Sequence, residues 1–324
     1  MNKLDISVLE SISKWQSQRF NVVLVTVAHT WGSSPRPRGS MLAWCRETGQ
    51  FMGSVSGGCI EDDLLQAFAN KPPVEVEVKN YGVSAAAAAA RGLPCGGRLT
   101  VVIEPLFTDN TAEVLLKQIA NRERVLRRIN LVSGETELLT AGQNAQTLLG
   151  EEYFDVLFEA EWRMLIIGAG ELSQFVHQFA SSLGFAVSVC DPRENYRESW
   201  PHDETAVSDE MPDDFIVAAH CDEQTAIVAL THDPKIDDLA ILEALNSGAF
   251  YVGALGSKRT NNARRTRLAE HFDLSEETLA LMRGPIGIDL NTRNAAEIAL
   301  SIVTEIVARR NGVSIATERA EMPQ

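Results

Sequence analysis

The sequence predicts an α/β protein of two domains, with a mixed α/β domain over residues 1–160 followed by a doubly wound parallel-sheet domain over residues 161–310. Three observations predict it. The chain has 324 residues, enough for two ordinary domains. The stretch "RMLIIGAGELSQFVHQFASSLGFAVSVCDPREN", from Arg163 to Asn195, reads as strand, glycine turn, helix, strand and acid. Beyond it, the strand-like runs "FIVAAH", "AIVALTHD" and "FYVGALGS" alternate with helical patterns. Strands that alternate with helices fold into a parallel sheet, because each crossover helix packs back onto the sheet it came from.

The elements of the first domain follow in order. "MNKLDISVLESISKWQSQRF" spaces its apolar residues like an amphipathic helix and has no unbroken apolar core, so it is not read as a signal peptide. No apolar run reaches the roughly 18 residues of a membrane span, and the cytoplasm is the expected location. "NVVLVTV", from Asn21 to Val27, is a buried strand. In "HTWGSSPRPRGSM", Gly32, Pro35, Pro37 and Gly39 exclude regular structure. "MLAW" and "RETGQFMGSV" form a hairpin. In "GSVSGGCIEDDLLQAF", a turn becomes a helix whose buried stripe is Ile60, Leu64 and Phe68, and Glu61, Asp62 and Asp63 are expected to face away from the core. "PPVEVEVKNYG" is an alternating strand. "VSAAAAAARG" is a helix capped by Ser84 and stopped by Gly92 and Pro94. Cys95, Gly96 and Gly97 then turn into the strand "RLTVVIEP". "TAEVLLKQIANRERV" is helical, and short strands complete the domain.

In the second domain, Leu172, Phe175, Val176, Phe179 and Leu183 give the first helix its apolar stripe. A last long helix runs from Thr292 to Arg310, capped by Asn291 or Thr292, and residues 311–324 are expected to be a mobile tail.

Charge and cysteine content narrow the function. A formal net charge of −15 repels phosphate backbones and argues against nucleic acid as a partner. An anionic ligand would need a local pocket of backbone amides and a few cations. The five cysteines are odd in number and the chain shows no export signal, so reduced thiols are expected. No CxxC pair or Cys/His spacing marks a metal site. No Ser-His-Asp order, HExxH motif or P-loop marks a catalytic one.

Four places are candidate binding sites. Gly168 allows a sharp turn after a strand, and Gly170 lets a pyrophosphate approach a helix N-terminus; Ser173 stands where a third glycine is usual. Asp191 lies at the end of the next strand, where a ribose hydroxyl is bound in dinucleotide sites. Together they predict a Rossmann-type fold, whose crevice holds NAD, a different ligand or nothing. His232 lies at the carboxyl end of the sheet, either as a ligand contact or proton carrier or in a structural role, and Asp233 is either a ligand contact or a turn former before Pro234. Gly253, Gly256 and Ser257 present amides to an anion with Lys258 and Arg259 adding charge, or else form a solvated helix start. Cys59 is a packing residue, a reactive thiol or a pocket thiol; the helix dipole favours its thiolate and the three following acids oppose it.

Taken together, "GSVSGGCIED", "GLPCGG", "THDPKIDD", "YVGALGSKRT" and "GPIGIDLNTRNAAEIALSI" resemble the XdhC/CoxF family of molybdenum-hydroxylase maturation factors. The resemblance runs from about Val25 to Val307, with the motifs in the family's order. It implies a chaperone and no catalytic role of its own. Such a chaperone binds the molybdenum cofactor, as molybdopterin or molybdopterin cytosine dinucleotide, and protects it during sulfuration by a cysteine desulfurase. It then inserts the cofactor into a molybdenum hydroxylase client of the xanthine dehydrogenase or aldehyde oxidoreductase type. The resemblance also implies a homodimer, and contact with the cofactor nucleotidyltransferase is a further expectation. Under this reading the crevice at Gly168, Gly170 and Asp191 takes the cytidine half, and Cys59 and Cys95 lie near the dithiolene or molybdenum end. Many members carry a histidine after the second glycine; Glu171 holds that place here. The alternative is an NAD(P)-dependent oxidoreductase, and a third reading is a protein scaffold that binds the client without a small ligand.

Overall fold

The computed structural model describes residues 3–31, 36–82, 98–106, 110–142 and 145–315. The chain divides into two compact units, Met1–Ala160 and Glu161–Gln324. Among the described residues no helix is long and apolar enough to cross a membrane.

In the first unit, helix α1 (Lys3–Ser17) buries Val8, Leu9, Ile12 and Trp15. A five-stranded antiparallel sheet follows, in the order β3 (Phe51–Gly53), β2 (Met41–Cys45), β1 (Val22–Trp31), β5 (Arg98–Leu106), β4 (Glu77–Tyr81). β1 is buried without a break from Val22 to Ala28, Thr26 included, because both sheet faces are covered. Val22 and Leu24 pack towards α1 and α3 (Thr111–Ala120), and Val23, Val25 and Val27 pack with Ile60, Leu64 and Phe68 around α2 (Glu61–Asn70). The strand outruns its predicted end, continuing to Trp31 through an irregularity between Val27 and His29. Helix α3 stops at Ala120, earlier than predicted, and the chain turns through Arg122 at φ 61°. It enters a four-stranded antiparallel sheet in the order β7 (Thr136–Thr140), β6 (Val125–Asn130), β9 (Tyr153–Phe158), β8 (Leu148–Leu149). The two sheets of this unit are joined by a buried bidentate pair, Arg127 Nη1 and Nη2 donating to Glu104 at 3.1 and 2.8 Å.

The second unit holds six parallel strands in the order β12 (Val207–Ser208), β11 (Ala186–Cys190), β10 (Arg163–Ile167), β13 (Thr225–Ala229), β14 (Tyr251–Ala254), β15 (Met282–Arg283). Numbered within this sheet the order is 3-2-1-4-5-6, the doubly wound order predicted from the alternation of elements. Helices α4 (Glu171–Ser182), α5 (Glu194–Glu198), α6 (Pro212–Ala218), α7 (Pro234–Asn246), α8 (Lys258–Phe272), α9 (Glu276–Ala280) and α10 (Ala295–Arg310) complete it. The strand order reverses between β10 and β13, which places the ligand crevice at the carboxyl ends of those strands.

Two expectations are corrected here. "FIVAAH" is no strand: Phe215–Ala218 form the end of α6, started by Pro212 in the first turn with Asp213 and Asp214 beside the helix's positive end. Only Pro212 and Ile216 are buried in it, so the run lacks the two-sided burial that a central parallel strand needs. The last helix begins at Ala295, and its cap is Asn294, whose side chain accepts from the Ala296 and Glu297 amides at 2.9 and 3.3 Å; neither Asn291 nor Thr292 takes that role. The alanine helix expected after Ser84, its stops Gly92 and Pro94, the Cys95 turn and the tail from residue 316 lie outside the described residues.

Candidate functional site

The site grows from three loops at the carboxyl ends of β13, β14 and β15. After β13, Thr231 is anchored by its amide and hydroxyl, which donate to Asp237 Oδ1 at 3.2 and 2.7 Å. Asp233 caps α7, its side chain accepting from the Lys235 amide at 2.9 Å, so the turn-forming role applies. His232 stands between them, exposed, with a left-handed φ of 65°.

After β14, Ser257 caps α8 by accepting from the Thr260 amide at 3.1 Å, and Gly256 makes the turn at φ 124°. Lys258 and Arg259 are exposed in the first turn of this 15-residue helix, whose N-terminal amides carry partial positive charge. Gly253 serves packing: a Cβ there would meet Ile286 Cδ1 at 2.5 Å and Tyr251 Cε1 at 2.7 Å.

After β15, the "GPIGIDLN" loop folds back. Gly287 donates to Glu305 Oε2 at 2.6 Å, and Arg283 Nε donates to Glu305 Oε1 at 2.6 Å.

These loops enclose a cleft of about 700 Å³, large enough for a nucleotide-sized ligand. Leu255, Ile286, Ile288 and Ile298 supply apolar wall, and His232, Ser257, Lys258 and Arg265 supply polar groups. Arg265 donates to the carbonyl oxygens of Met282 at 2.9 Å and Gly284 at 3.4 Å, and among the described residues no carboxylate neutralises it. Burial, followed by the neighbouring Arg283 and Arg264 charges, pushes its pKa below the usual guanidinium value. Lys258, Arg265 and Arg283 line the cleft together with one carboxylate, Asp289, so in a chain with a net charge of −15 its wall carries a local excess of positive charge.

Two further cations of the same helix, Arg264 and Arg267, are structural. Arg264 is buried and bonds to Asp237 at 3.1 Å, Asp238 at 2.9 Å, Asn261 at 2.8 Å and the Leu255 carbonyl at 3.2 Å. Arg267 bonds to Asp238 at 2.6 Å. The "THDPKIDD" and "KRTNNARRTRL" segments are thus tied together by ion pairs beneath the cleft.

The first glycine turn adjoins this site without lining the cleft. Gly168, at φ 106°, is required by packing, since a Cβ would lie 2.9 Å from Thr231 Cγ2 and 3.2 Å from its amide nitrogen. Gly170 is not: the nearest atom to a Cβ there is Tyr196 Cε1 at 3.9 Å. Gly168→Ala is expected to cost about 1–3 kcal/mol through strain, while Gly170→Ala leaves stability within about 0.5 kcal/mol, as read by urea denaturation. Ser173, in place of a third glycine, is fully buried.

Asp191, the expected ribose contact, is engaged within the chain. It is fully buried, and both carboxylate oxygens are taken: Oδ2 by the Ala169 amide at 2.8 Å and Arg193 Nη2 at 2.8 Å, Oδ1 by the Arg193 amide at 3.0 Å and Nε at 2.9 Å. Burial alone would raise its pKa; the hydrogen bonds from Arg193 and Ala169 outweigh that and lower it. Asp191 therefore braces the glycine turn and has no lone pair directed at a ribose. The group that reaches the surface there is Arg193, stacked on Tyr196 at 3.8 Å. Sequence reasoning passed over it, although it stands two residues after the acid in "DPR".

In the first unit, Cys59 sits in the turn before α2, half-buried against Leu64 and its neighbours. The turn is organised by Glu61, and the expectation that all three acids face away from the core is corrected: Asp62 and Asp63 are exposed, but Glu61 is buried. Its Oε1 accepts from Ser54 Oγ at 2.7 Å and the Val55 and Ser56 amides at 2.9 and 2.8 Å. Its Oε2 accepts from the Ser56 hydroxyl and from the Gly58 and Ile60 amides at 3.0 and 3.1 Å. Burial would raise this carboxyl, but the Ser56 and Ser54 hydroxyls and the backbone donors hold it at about 2. The "SVSGG" loop is wrapped on an internal anion, which fixes the backbone that carries Cys59. The signal in the sequence was the pair of serines five and seven residues before the glutamate, flanking a helix start. Cys95 lies outside the described residues.

Comparison with known proteins adds to this geometry. Residues 164–306 match the XdhC Rossmann domain, and residues 15–70 match the XdhC and CoxI family. The chain is 28% identical to the "Molybdenum cofactor insertion chaperone PaoD" of Escherichia coli, over 89% of this chain and 83% of that protein. It is 24% identical to a probable xanthine dehydrogenase subunit of Bacillus subtilis, over 90% of this chain and 94% of that one. Among solved structures, a xanthine dehydrogenase of Bacillus halodurans superposes with a TM-score of 0.73 at 22% identity, covering 98% of each chain, which places the fold.

Proposed function

The chain belongs to the XdhC family, and from that premise we propose that it is a chaperone that carries the molybdenum cofactor to a molybdenum hydroxylase client. The cofactor is cargo, held as molybdopterin or its cytosine dinucleotide, protected while a cysteine desulfurase supplies a terminal sulfur, and then handed on. A homodimer and contact with the cofactor nucleotidyltransferase complete the proposal. The observation that carries it is the cation pair Lys258 and Arg265, for which no ion-pair partner stands among the described residues, facing an apolar-walled cleft in an acidic chain. A phosphorylated pterin has the matching chemistry: a flat ring for the apolar wall, and phosphates for the helix N-terminus and the guanidinium. His232 lines the same cleft, which supports a contact with the same ligand. The relative named as an insertion chaperone supports the direction of transfer. An NAD(P)-dependent oxidoreductase is less well supported, because the carboxylate that would hold a ribose is spent on Ala169 and Arg193.

The test is to isolate the protein from molybdenum-replete cells, release its ligand, and assay oxidised pterin and CMP. Pterin is expected, and Lys258→Gln and Arg265→Gln should each lower its retention roughly tenfold or more, the worth of one charge-assisted hydrogen bond. Recovery of nicotinamide nucleotide without pterin would overturn the proposal. Cys59 carries a separate readout: Cys59→Ser is expected to retain less molybdenum, and undiminished retention with full client activation would show that the thiol takes no part in holding the cofactor.

A further inference from the structure

A second cluster of ligating side chains lies in the Rossmann unit, outside the cleft. His177 is in α4, two turns after Gly170, and is 3% exposed. Its Nε2 lies 2.9 Å from Thr205 Oγ1, and its Nδ1 is buried with no hydrogen-bond partner among the described residues. The His202 ring lies 4.3 Å from it, and His202 Nδ1 is 3.8 Å from Glu204 Oε1. Trp200 stands edge-on to both imidazoles, at 5.5 and 5.1 Å, and forms one side of the cluster. One donor atom from each of His177, His202 and Glu204 lies within 4.8 Å of the others.

Aromatic packing alone does not account for this. A stacked cluster needs ring area, whereas here two imidazoles and a carboxylate converge and a buried ring nitrogen is left unsatisfied. An unsatisfied buried nitrogen is costly unless something binds it. We propose that His177, His202 and Glu204 form a binding site for a divalent transition metal of the zinc, cobalt or nickel type. Two imidazole nitrogens and one carboxylate oxygen are the borderline donor set these ions take, and they do not suit magnesium or calcium. Three protein ligands leave a fourth position for water. Closing three donors from 4.8 Å to a shared ion needs a small movement, and Glu204, with a side chain 71% exposed, is free to make it. Bound metal would clip the segment Trp200–Thr205, which leads into the edge strand β12, onto the helix that opens at the glycine turn. The metal is separate from any cargo in the cleft, since none of the three residues lines it.

The sequence spacing hides this site. His177 and His202 are 25 residues apart and belong to no short motif; only the return of the chain after α5 brings them together.

The test uses the full chain without an affinity tag, stripped of metal and titrated with Co²⁺. One equivalent should bind with the visible d–d absorption of a four-coordinate ion, and Zn²⁺ should displace it. His202→Ala should abolish the bands, and Glu204→Gln should weaken binding by roughly 10- to 100-fold, at least the loss seen when a metal ligand's supporting contact is removed. Both side chains are partly exposed, so the variants are expected to keep the wild-type circular dichroism. Absence of the bands from wild type, equal bands in His202→Ala, or the near-ultraviolet charge-transfer absorption of a thiolate ligand would each overturn the proposal.

Discussion

Glu61→Gln is expected to destabilise the first unit by on the order of 2–3 kcal/mol, although it changes one atom. The carboxylate accepts six hydrogen bonds, three on each oxygen. An amide can keep one oxygen; its NH₂ group would face three donors. On the Oε2 side the Ser56 hydroxyl can turn to accept from the NH₂ and the Ile60 amide keeps its bond to Ser56 Oγ at 2.9 Å, so the loss is the Gly58 contact and the charge that strengthens the others, about 2–3 kcal/mol in all. Hydrogen exchange offers a local readout: the Val55, Ser56, Gly58 and Ile60 amides should lose protection first. The same carboxyl gives a pH signature. Its folded pKa is depressed to about 2 from 4.5, so its stabilising contribution is complete above the unfolded value and is lost as pH falls from 4.5 through 2. The full contribution is about 3 kcal/mol by that linkage. Glu61→Gln should remove this part of the acid transition. A variant within about 1 kcal/mol of wild type, with unchanged exchange in the loop, would show that the six contacts are not the frame of the Cys59 turn.

The contrast between Glu61 and its neighbours explains what was legible in the sequence. Periodicity found the helix and its buried face, because Ile60, Leu64 and Phe68 repeat at helical spacing. It assigned Glu61 outward because an acid is a poor core residue, and no pattern of apolar residues records that six donors will converge on one oxygen pair. The Rossmann order was legible for the opposite reason: glycine turn, helix stripe and strand runs are local signals, and they agree. The one false strand, "FIVAAH", was an apolar run too short for periodicity to separate strand from helix, where Pro212 and the two aspartates before it held the better signal. At the site, the loops after β13 and β14 were found from their position. The Gly284–Asn291 wall, Arg265 and Arg193 were not, because their roles depend on how β15 and α5 return to the sheet. Asp191 was placed correctly at a strand end, but not its neighbour Arg193, which two residues on takes both of its oxygens.

Arg264→Met is expected to cost about 3–5 kcal/mol, the usual result of leaving a buried charge without its partner. Arg264 is 2% exposed and Asp237 is fully buried, so neither can exchange the other for water. Burial already raises the Asp237 pKa, against the opposing Thr231 hydrogen bonds and the Arg264 charge. Removing Arg264 removes one of the influences that hold the carboxyl down, so the pKa should rise further. A carboxyl whose folded pKa exceeds its unfolded value stabilises least at high pH: the penalty is absent below the unfolded value and grows as pH rises through the folded one. The variant should therefore lose stability with rising pH in that range, the reverse of the Glu61 signature. Asp237→Asn in the Arg264→Met background should recover part of the loss, since it removes the stranded charge, and the double variant should depart from additivity by about 0.5–3 kcal/mol. The functional consequence follows from what else Arg264 holds. Its Nη1 bonds to the Leu255 carbonyl and to Asn261, directly beneath the Gly256–Ser257 turn that lines the cleft. Ligand retention should fall in Arg264→Met without any ligand contact having been removed, and Asp237→Asn should restore stability more than retention. Equal recovery of both would mean that the pair supports the fold alone and leaves the shape of the cleft to its own loops.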